Sequence, residues 1–470
     1  MYVCPTCGAG LVFDPKSQQL LCLSCRNKYD PENIEKMRLD KAKEVQNQNM
    51  DLKDNEYEAI SYKCSHCGAE LITTDETITT FCSFCRTGTM LDRKQIAKTK
   101  PDYVIPFKIT KDECKKIYVD KIKKSFFAPK SMIDSQEVEK IRGIYMPYWL
   151  YTYEKHGDTS AKGSKYSHRS GDYVYYDDYT LITNVDAECS GITHDATSNF
   201  SDRLSEAIAP FSIKEKKDFS AAYLSGYYAD NEDVDKEIYT NEGAQIASKD
   251  ISSRLGKEKE YHKYSAKPNV VLSPKSAKLA LFPVYYLATK NRSGDRISYA
   301  VVNGQTGKIT ADIPVDIKKF FITSFAIAIP LFFILNLFLT ISMPLLCTLS
   351  IIFNIISLMI LTSQNKKIGF RESNLDDKGF LAKAAKDGNN QKKKAKGNKI
   401  KASIIKPIIG LLITILVFIL KPASDIYYYT AAIISIFMAI LSFYNIIIKY
   451  NILTTQKLPQ LDKRGGDENA

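Results

Sequence analysis

Histidine is scarce in this chain of 470 residues: there are five, at positions 66, 156, 168, 194 and 262. None belongs to an H-E-x-x-H helix that would hold an open catalytic metal, and no G-x-S-x-G elbow presents a serine nucleophile. A triphosphate-cradling G-x-x-x-x-G-K-[ST] loop is also missing; Gly304-Gln-Thr-Gly307-Lys308-Ile is too short and lacks the hydroxyl that would hold magnesium. Motifs of catalysis therefore give no support to an enzyme. The start of the chain, Met1-Tyr-Val-Cys4, carries no basic and apolar leader, so passage to an oxidising compartment is not expected.

Cysteine, by contrast, is patterned. Cys4-Pro-Thr-Cys7-Gly-Ala-Gly-Leu is followed by Cys22-Leu-Ser-Cys25, and the same frame returns as Cys64-Ser-His-Cys67-Gly-Ala-Glu-Leu and Cys82-Ser-Phe-Cys85. Two C-x-x-C hooks separated by one hairpin's worth of chain bring four thiolates around a point, the closed all-sulfur shell of a structural zinc site. Cys4, Cys7, Cys22 and Cys25 are expected to hold one zinc ion, and Cys64, Cys67, Cys82 and Cys85 a second. Gly8 and Gly68 follow the first hooks, where a sharp turn favours glycine. His66, inside the third hook, is an alternative ligand only if the sulfur set is incomplete. Cys114 is read as a core residue of a helix rather than as a nucleophile, and Cys189 and Cys347 have no catalytic surroundings.

The second pattern is apolar. Phe320–Ile341, Leu345–Leu361, Ile404–Leu420 and Tyr427–Ile448 are runs of 22, 17, 17 and 22 residues, and about 20 apolar residues cross a hydrocarbon core. Four transmembrane helices are expected. They lack Asp, Glu and Arg, which lowers the expectation of an ion or proton path. Asn336, Asn354 and Asn445 are expected to bond between helices, Pro330 is placed to kink the first span, and Pro407 fits a first-turn position of the third.

Charge is distributed unevenly. Basic and acidic residues number 14 and 14 over residues 1–100, 31 and 31 over 101–317, and 20 and 8 over 318–470, so the whole net charge of +12 lies with the spans. The loop Ser363–Lys406 carries 13 basic and 4 acidic residues, including Lys392-Lys393-Lys394-Ala-Lys396. By the positive-inside rule this loop and both termini face the cytosol at the cell membrane. The loop at 363–403 reads as flexible chain against anionic membrane lipids, with nucleic acid as the alternative partner. Zero net charge over residues 1–100, before two negatively charged zinc–thiolate centres, argues against nucleic acid as the partner of the cysteine units.

The expected organisation is a zinc ribbon at 1–30, a polar linker with a short exposed helix at 31–60, a second ribbon at 61–100, an α+β domain at 101–317, the spans at 318–450 and a tail at 451–470. In the middle domain, Tyr103–Ile109, Ile141–Tyr153, Tyr173–Val185, Ala277–Thr289, Ile297–Val302 and Lys308–Ala311 read as strands. Helices are expected at Lys111–Lys124, Asp202–Ala209 and Asn231–Ser253. Pro106, Pro147 and Pro283 within strand-like runs point to edges or bulges, Gly157–Asp178 to a solvated hairpin, and Asn303–Lys308 to a hairpin turn.

Cys4-Pro-Thr-Cys7-Gly-Ala, Pro101-Asp-Tyr-Val-Ile-Pro106-Phe-Lys, Phe127-Ala-Pro-Lys130, Gly143-Ile-Tyr-Met-Pro147-Tyr-Trp-Leu150 and Asn303-Gly-Gln-Thr-Gly-Lys308 make the chain resemble a family of bacterial membrane proteins described as TFIIB-type zinc-ribbon-containing. The resemblance covers nearly the whole chain. Some members are labelled primosomal helicase homologues, a label the missing phosphate loop speaks against; others are associated with envelope-stress systems containing phage-shock, TPM-domain and SPFH-domain proteins. The chain departs from the usual ribbon at Arg26 and Arg86, where glycine normally follows the second hook. The expectation is a membrane-anchored cytosolic scaffold that recruits protein partners, with a homo-oligomer also open.

Overall fold

The computed structural model describes residues 2–44, 56–74, 81–88, 92–255, 263–266, 270–291, 296–338, 342–372, 377–386 and 398–457. The first cysteine unit is a three-stranded antiparallel sheet of β1 (Leu11–Asp14), β2 (Gln19–Cys22) and β3 (Lys28–Tyr29). Alternation sends Leu11, Phe13, Leu20 and Cys22 to one buried face. Helix α1 (Pro31–Glu44) follows, with Pro31 at its first position and Asp30 Oδ1 accepting from the Glu32 amide at 2.9 Å. The helix expected to be exposed in fact buries Ile34 in the core.

The second unit, β4 (Glu56–Lys63), β5 (Glu70–Thr73) and β6 (Asp92–Thr99), is sheet-continuous with the middle region, because β5 pairs antiparallel with β11 (Tyr228–Asp230), Ile72 opposite Ala229. Between them in the chain come β7 (Tyr103–Val104), α2 (Lys111–Lys123), α3 (Ser135–Val138), β8 (Arg142–Ser170), β9 (Tyr173–Asp195), α4 (Asp202–Ile208) and β10 (Lys217–Asp218). After β11 come α5 (Thr240–Leu255), β12 (Lys263–Ala266), β13 (Ser273–Lys290), β14 (Arg296–Asn303) and β15 (Ile309–Ala311).

β8 and β13 are the spine, paired antiparallel from Ser273 opposite Glu154 to Tyr286 opposite Arg142. Side chains on a strand alternate between faces, and here both faces are buried. Tyr145, Leu281, Tyr285 and Leu287 join the core that contains Tyr2, Leu11, Phe13 and Leu20 of the first cysteine unit. Ile144, Met146, Phe282, Val284 and Tyr286 join the core that contains Cys64, Cys67, Cys82 and Cys85. Both cysteine units thus pack into the cores of the central sheet, though Tyr57, Ala59 and Ile72 of the second unit also reach the first of these cores, beside Tyr118 and Ile122 of α2.

The prolines occupy central strands rather than edges, at places where a missing N–H costs little. Pro283 lies where the outer partner of β13 changes from β7, last paired at Leu281, to β14, first paired at Val284. Pro147 lies where the neighbour of β8 changes from β11, at Tyr145, to β9, at Tyr148. The strand expected over Tyr103–Ile109 stops at Val104, since Pro106 has no amide to extend a ladder; Lys108 and Ile109 N donate instead to Gly304 O at 2.9 and 2.8 Å. The helix expected over Asn231–Ser253 begins only at Thr240, because the amides of Asp233 and Val234 are bound to Ala196 O.

The C-terminal region holds four apolar helices, α6 (Ile317–Phe338), α7 (Met343–Glu372), α9 (Asn398–Leu420) and α10 (Asp425–Leu453), with α8 (Lys378–Lys386) between the middle two. Each of the four is long and apolar enough to cross a membrane. The loop expected to be flexible from residue 363 is helical to Glu372 and again at α8, which is seated on the middle region by Lys378 N donating to Asp202 Oδ2 at 3.0 Å; Lys392–Lys396 lie outside the described residues. Pro407 sits in the interior of α9 rather than in a first turn. Asn354 Nδ2 donates to Ser435 Oγ at 3.0 Å, and Ser435 Oγ to Gly410 O at 3.1 Å, which stitches α7, α10 and α9 together. Asn336 donates within its own helix, to Phe332 O. β16 (Gln456–Lys457) then pairs with β14, so the chain returns to the sheet after the last apolar helix.

The turn Asn303–Lys308 is packed without slack. A Cβ built at Gly304 would stand 2.5 Å from Phe107 Cδ1 and 2.9 Å from Pro283 O. Gly304→Ala is expected to lower stability by about 1–3 kcal/mol, read as the thermal midpoint of the detergent-solubilised chain; an unchanged midpoint would contradict this packing.

Candidate metal centres

Each of the four C-x-x-C hooks makes the same turn. The amides of Gly8, Arg26, Gly68 and Arg86 donate to the carbonyls of Cys4, Cys22, Cys64 and Cys82 at 2.9, 3.0, 2.9 and 3.0 Å. The amides of those same cysteines bond the carbonyls of Ala9, Asn27, Ala69 and Thr87 at 2.7, 2.9, 2.9 and 3.0 Å. Closing the turn takes positive φ: 72° at Gly8, 69° at Gly68, 64° at Arg26 and 60° at Arg86. The arginines that replace glycine therefore adopt the glycine conformation, and the turn geometry is the same at all four hooks. A side chain in this left-handed region carries strain that glycine avoids.

The sulfurs converge. Cys4 and Cys25 Sγ lie 3.6 Å apart and Cys7 and Cys22 Sγ 3.4 Å; Cys64 to Cys85 and Cys67 to Cys82 are both 3.7 Å. All four ligand atoms of each group fall within 4.8 Å of one another. Sulfurs about 2.3 Å from a central ion, at the corners of a tetrahedron, stand about 3.8 Å apart, whereas a disulfide brings them to about 2.05 Å. The cysteines are free, and the spacing fits a tetrahedral metal ion in each group. These are the eight residues the spacing singled out. His66 is not needed as a fifth donor.

The surroundings divide the thiols of each group. Against the pull of the Asn27 amide, burial and bonds from Cys22 and Cys4 raise Cys25 to about 12. Bonds from Cys64 and Cys67 raise Cys82 well above its ordinary value, while other members are drawn down. Tyr29 Oη lies 3.3 Å from Cys4 Sγ and is itself 2.6 Å from Thr6 Oγ1. Burial alone would raise the Cys4 thiol, but hydrogen bonds from Tyr29 and from the amides of Cys7 and Thr6 draw it down to about 6. Bonds from Cys67 and Cys82 draw Cys64 down to about 6 as well. Proton-poor sulfur is what a metal requires. Tyr29, Thr6 and Arg86 were not singled out by the spacing as partners of the centres, although the non-glycine after the fourth hook was a visible signal for the last.

The two centres differ in their surroundings. In the first, Cys7 is exposed and Cys25 half-buried; in the second all four cysteines are buried. Arg86 explains part of this: its guanidinium donates to Ala288 O at 2.8 Å and to Glu137 Oε2 at 2.8 Å, sealing the second centre against β13 and α3.

The histidines stay apart. His156 Nδ1 lies 2.8 Å from Asp186, His168 stacks on Tyr175 at 4.6 Å, His194 stacks on Tyr239 at 4.7 Å, and His262 lies outside the described residues. The Gly157–Asp178 stretch forms the outer part of the β8–β9 hairpin, turning at Gly171 with φ 61°, and its tip is exposed.

Comparison with known proteins finds one relative to report. The "Uncharacterized protein YdjG" of Bacillus subtilis (strain 168) is 27% identical over 323 residues, covering 68% of this chain and 91% of the relative. No family model matches the chain, and no solved structure matches it.

Two outcomes follow from the asymmetry. Arg26→Gly is expected to leave stability within about 1 kcal/mol, because relief of the left-handed strain offsets glycine's extra freedom in the unfolded chain. Arg86→Gly is expected to cost about 2 kcal/mol or more, because Glu137 and the Ala288 carbonyl lose a buried charged donor; equal effects in denaturant titrations would refute the assignment. Chelation of the loaded protein should release metal in two phases, the faster disappearing in Cys7→Ser, as followed with a metallochromic dye. A single phase would mean that exposure of Cys7 does not govern access.

Proposed function

We propose that the chain is a membrane-anchored scaffold that binds two structural zinc ions and recruits protein partners to the cytosolic face of the cell membrane. The observation that carries this reading is continuity of structure: the sheet into whose cores both cysteine units pack is the sheet that α10 re-enters through β16. Arg296 tightens the junction, its guanidinium donating to Thr455 Oγ1 at 2.7 Å and to Ile452 O and Thr455 O at 2.9 Å each. Surfaces borne on such a sheet keep a fixed attitude to the bilayer, and tethering raises their effective concentration toward membrane partners.

Zinc is the metal that a complete, closed set of four thiolates suits best, with no position left for substrate. Bound there, it would cross-link the hooks and contribute folding free energy. Lys318 and Lys319 in the first turn of α6, Lys366 and Lys367 late in α7, and Lys449 late in α10 favour the cytosol for the side that carries the sheet. A place among the TFIIB-type zinc-ribbon-containing membrane proteins, with partners of the phage-shock, TPM-domain or SPFH-domain kind in envelope stress, is part of the proposal and rests on the sequence resemblance.

The test is a gentle-detergent purification of the full chain beside Cys4→Ser with Cys7→Ser and Cys64→Ser with Cys67→Ser, scoring zinc content, co-purifying protein and nucleic acid. Each double variant is expected to lose one of two zinc equivalents and to release a protein partner while staying in the membrane fraction. Unchanged partner recovery from zinc-free protein, or zinc-dependent recovery of DNA or RNA in its place, would overturn the scaffold reading.

A further inference from the structure

The turn that follows α2 belongs to neither metal centre. Lys121-Ile-Lys123-Lys124-Ser-Phe126-Phe127-Ala-Pro-Lys130 contains four lysines and no acid. Its tip is fastened to the start of α6: the Phe127 ring lies 5.1 Å from the Phe320 ring, and Asp316 N donates to Phe127 O at 2.8 Å. Lys319 Nζ donates to Phe126 O and stands 4.5 Å from the centre of the Phe126 ring. Phe320 is the first residue of the apolar run of α6, and its ring stacks on Phe443 of α10 at 6.5 Å. The turn is thereby held where two apolar helices leave the sheet.

At that place the tip presents the wrong surface for water. Phe126 is 60% exposed although it belongs to an ordered, fastened turn. Lys121, Lys123, Lys124, Lys130 and Lys318 are exposed around it, with no ion pair to an acid among the described residues. An aromatic ring flanked by lysines, level with the first turn of a span, matches the boundary between headgroups and acyl chains, where rings are favoured and ammonium groups reach anionic phosphate.

We propose that the Lys124–Phe127 turn is a membrane-interface anchor, with Phe126 inserted at the headgroup boundary and Lys121, Lys123, Lys124, Lys130 and Lys318 binding anionic phospholipid headgroups on the side of the bilayer that carries the sheet. The occupant is a lipid surface, because the turn is continuous with α6 and its charge is of one sign. The proposal rests on α6 being a membrane span, and it assigns a role to Phe127-Ala-Pro-Lys130 that the scaffold reading leaves unexplained.

Full-length protein carrying Phe126→Trp is reconstituted in phosphatidylcholine vesicles with and without phosphatidylglycerol, using lipid brominated near the headgroup end of its chains as quencher. The wild type, whose single tryptophan Trp149 donates to Val234 O inside the middle region, supplies the baseline. The emission added by Phe126→Trp is expected to be quenched by brominated lipid. The phosphatidylglycerol enrichment of lipid co-purifying with the chain is expected to fall at least about fivefold in Lys123→Gln with Lys124→Gln and Lys130→Gln. Added emission that brominated lipid does not quench, in protein that still resists alkaline extraction, overturns the anchor while leaving the spans intact. Unchanged enrichment in the lysine variant overturns the headgroup assignment. Protein released by alkaline extraction overturns the span reading and the anchor with it.

Discussion

Residues 144–148 of β8 and 279–289 of β13 are buried on both faces, and a sheet of that kind needs two covers. Most small sheets find one cover in a helical layer and leave the other face to water. Here Tyr2, Leu11, Phe13 and Leu20 of the first cysteine unit join α2 in one core, the four cysteines of the second unit join α4 in the other, and Tyr57, Ala59 and Ile72 of the second unit reach the first core as well. Neither unit has enough apolar area to fold firmly alone, but each becomes part of a core much larger than itself. The cysteine clusters consequently sit inside the cores that their units help to form.

The local geometry of the hooks shows how far this demand reaches. Four turns adopt the same two hydrogen bonds and the same left-handed residue, whether that residue is glycine or arginine. At Arg86 the strain coincides with a buried guanidinium bridging Ala288 O and Glu137, so a conformation that disfavours a side chain is retained where the side chain has partners to gather. Arg26 has no such reach, and its centre is the more open of the two, with Cys7 exposed.

On the membrane side, the apolar helices are not an appendage. α7, α9 and α10 are joined through Asn354, Ser435 and Gly410, a polar contact buried among apolar helices. α6 stands apart with no buried residue, and touches α10 chiefly where Phe320 meets Phe443 and Phe321 meets Tyr444. At the other boundary Asn451 exchanges two 2.8 Å hydrogen bonds with Val315, and Arg296 gathers the carbonyls at the end of α10. These contacts join the apolar helices to the sheet.

The sequence by itself determined the two tetra-cysteine groups, the apolar helices and the strand-rich middle region, because each rests on short-range regularity: C-x-x-C spacing, unbroken apolar length, alternation dense in Tyr and Val. It also placed α2 and the Asn303–Lys308 turn, whose signals are local. Tertiary structure alone decided that the second cysteine unit extends the central sheet while the first packs into one of its cores, since pairing of Ile72 with Ala229 joins residues far apart in the chain. It decided why Pro147 and Pro283 are tolerated in central strands, because a proline's missing amide is harmless only where the neighbouring strand changes, and no property of residues 147 or 283 records where β11 ends or β14 begins. It decided that residues 363–372 prolong α7, and that Asn231–Tyr239 is held out of α5 by Ala196 O, because a polar segment takes its conformation from the partners its amides find, and those partners are chosen by the fold.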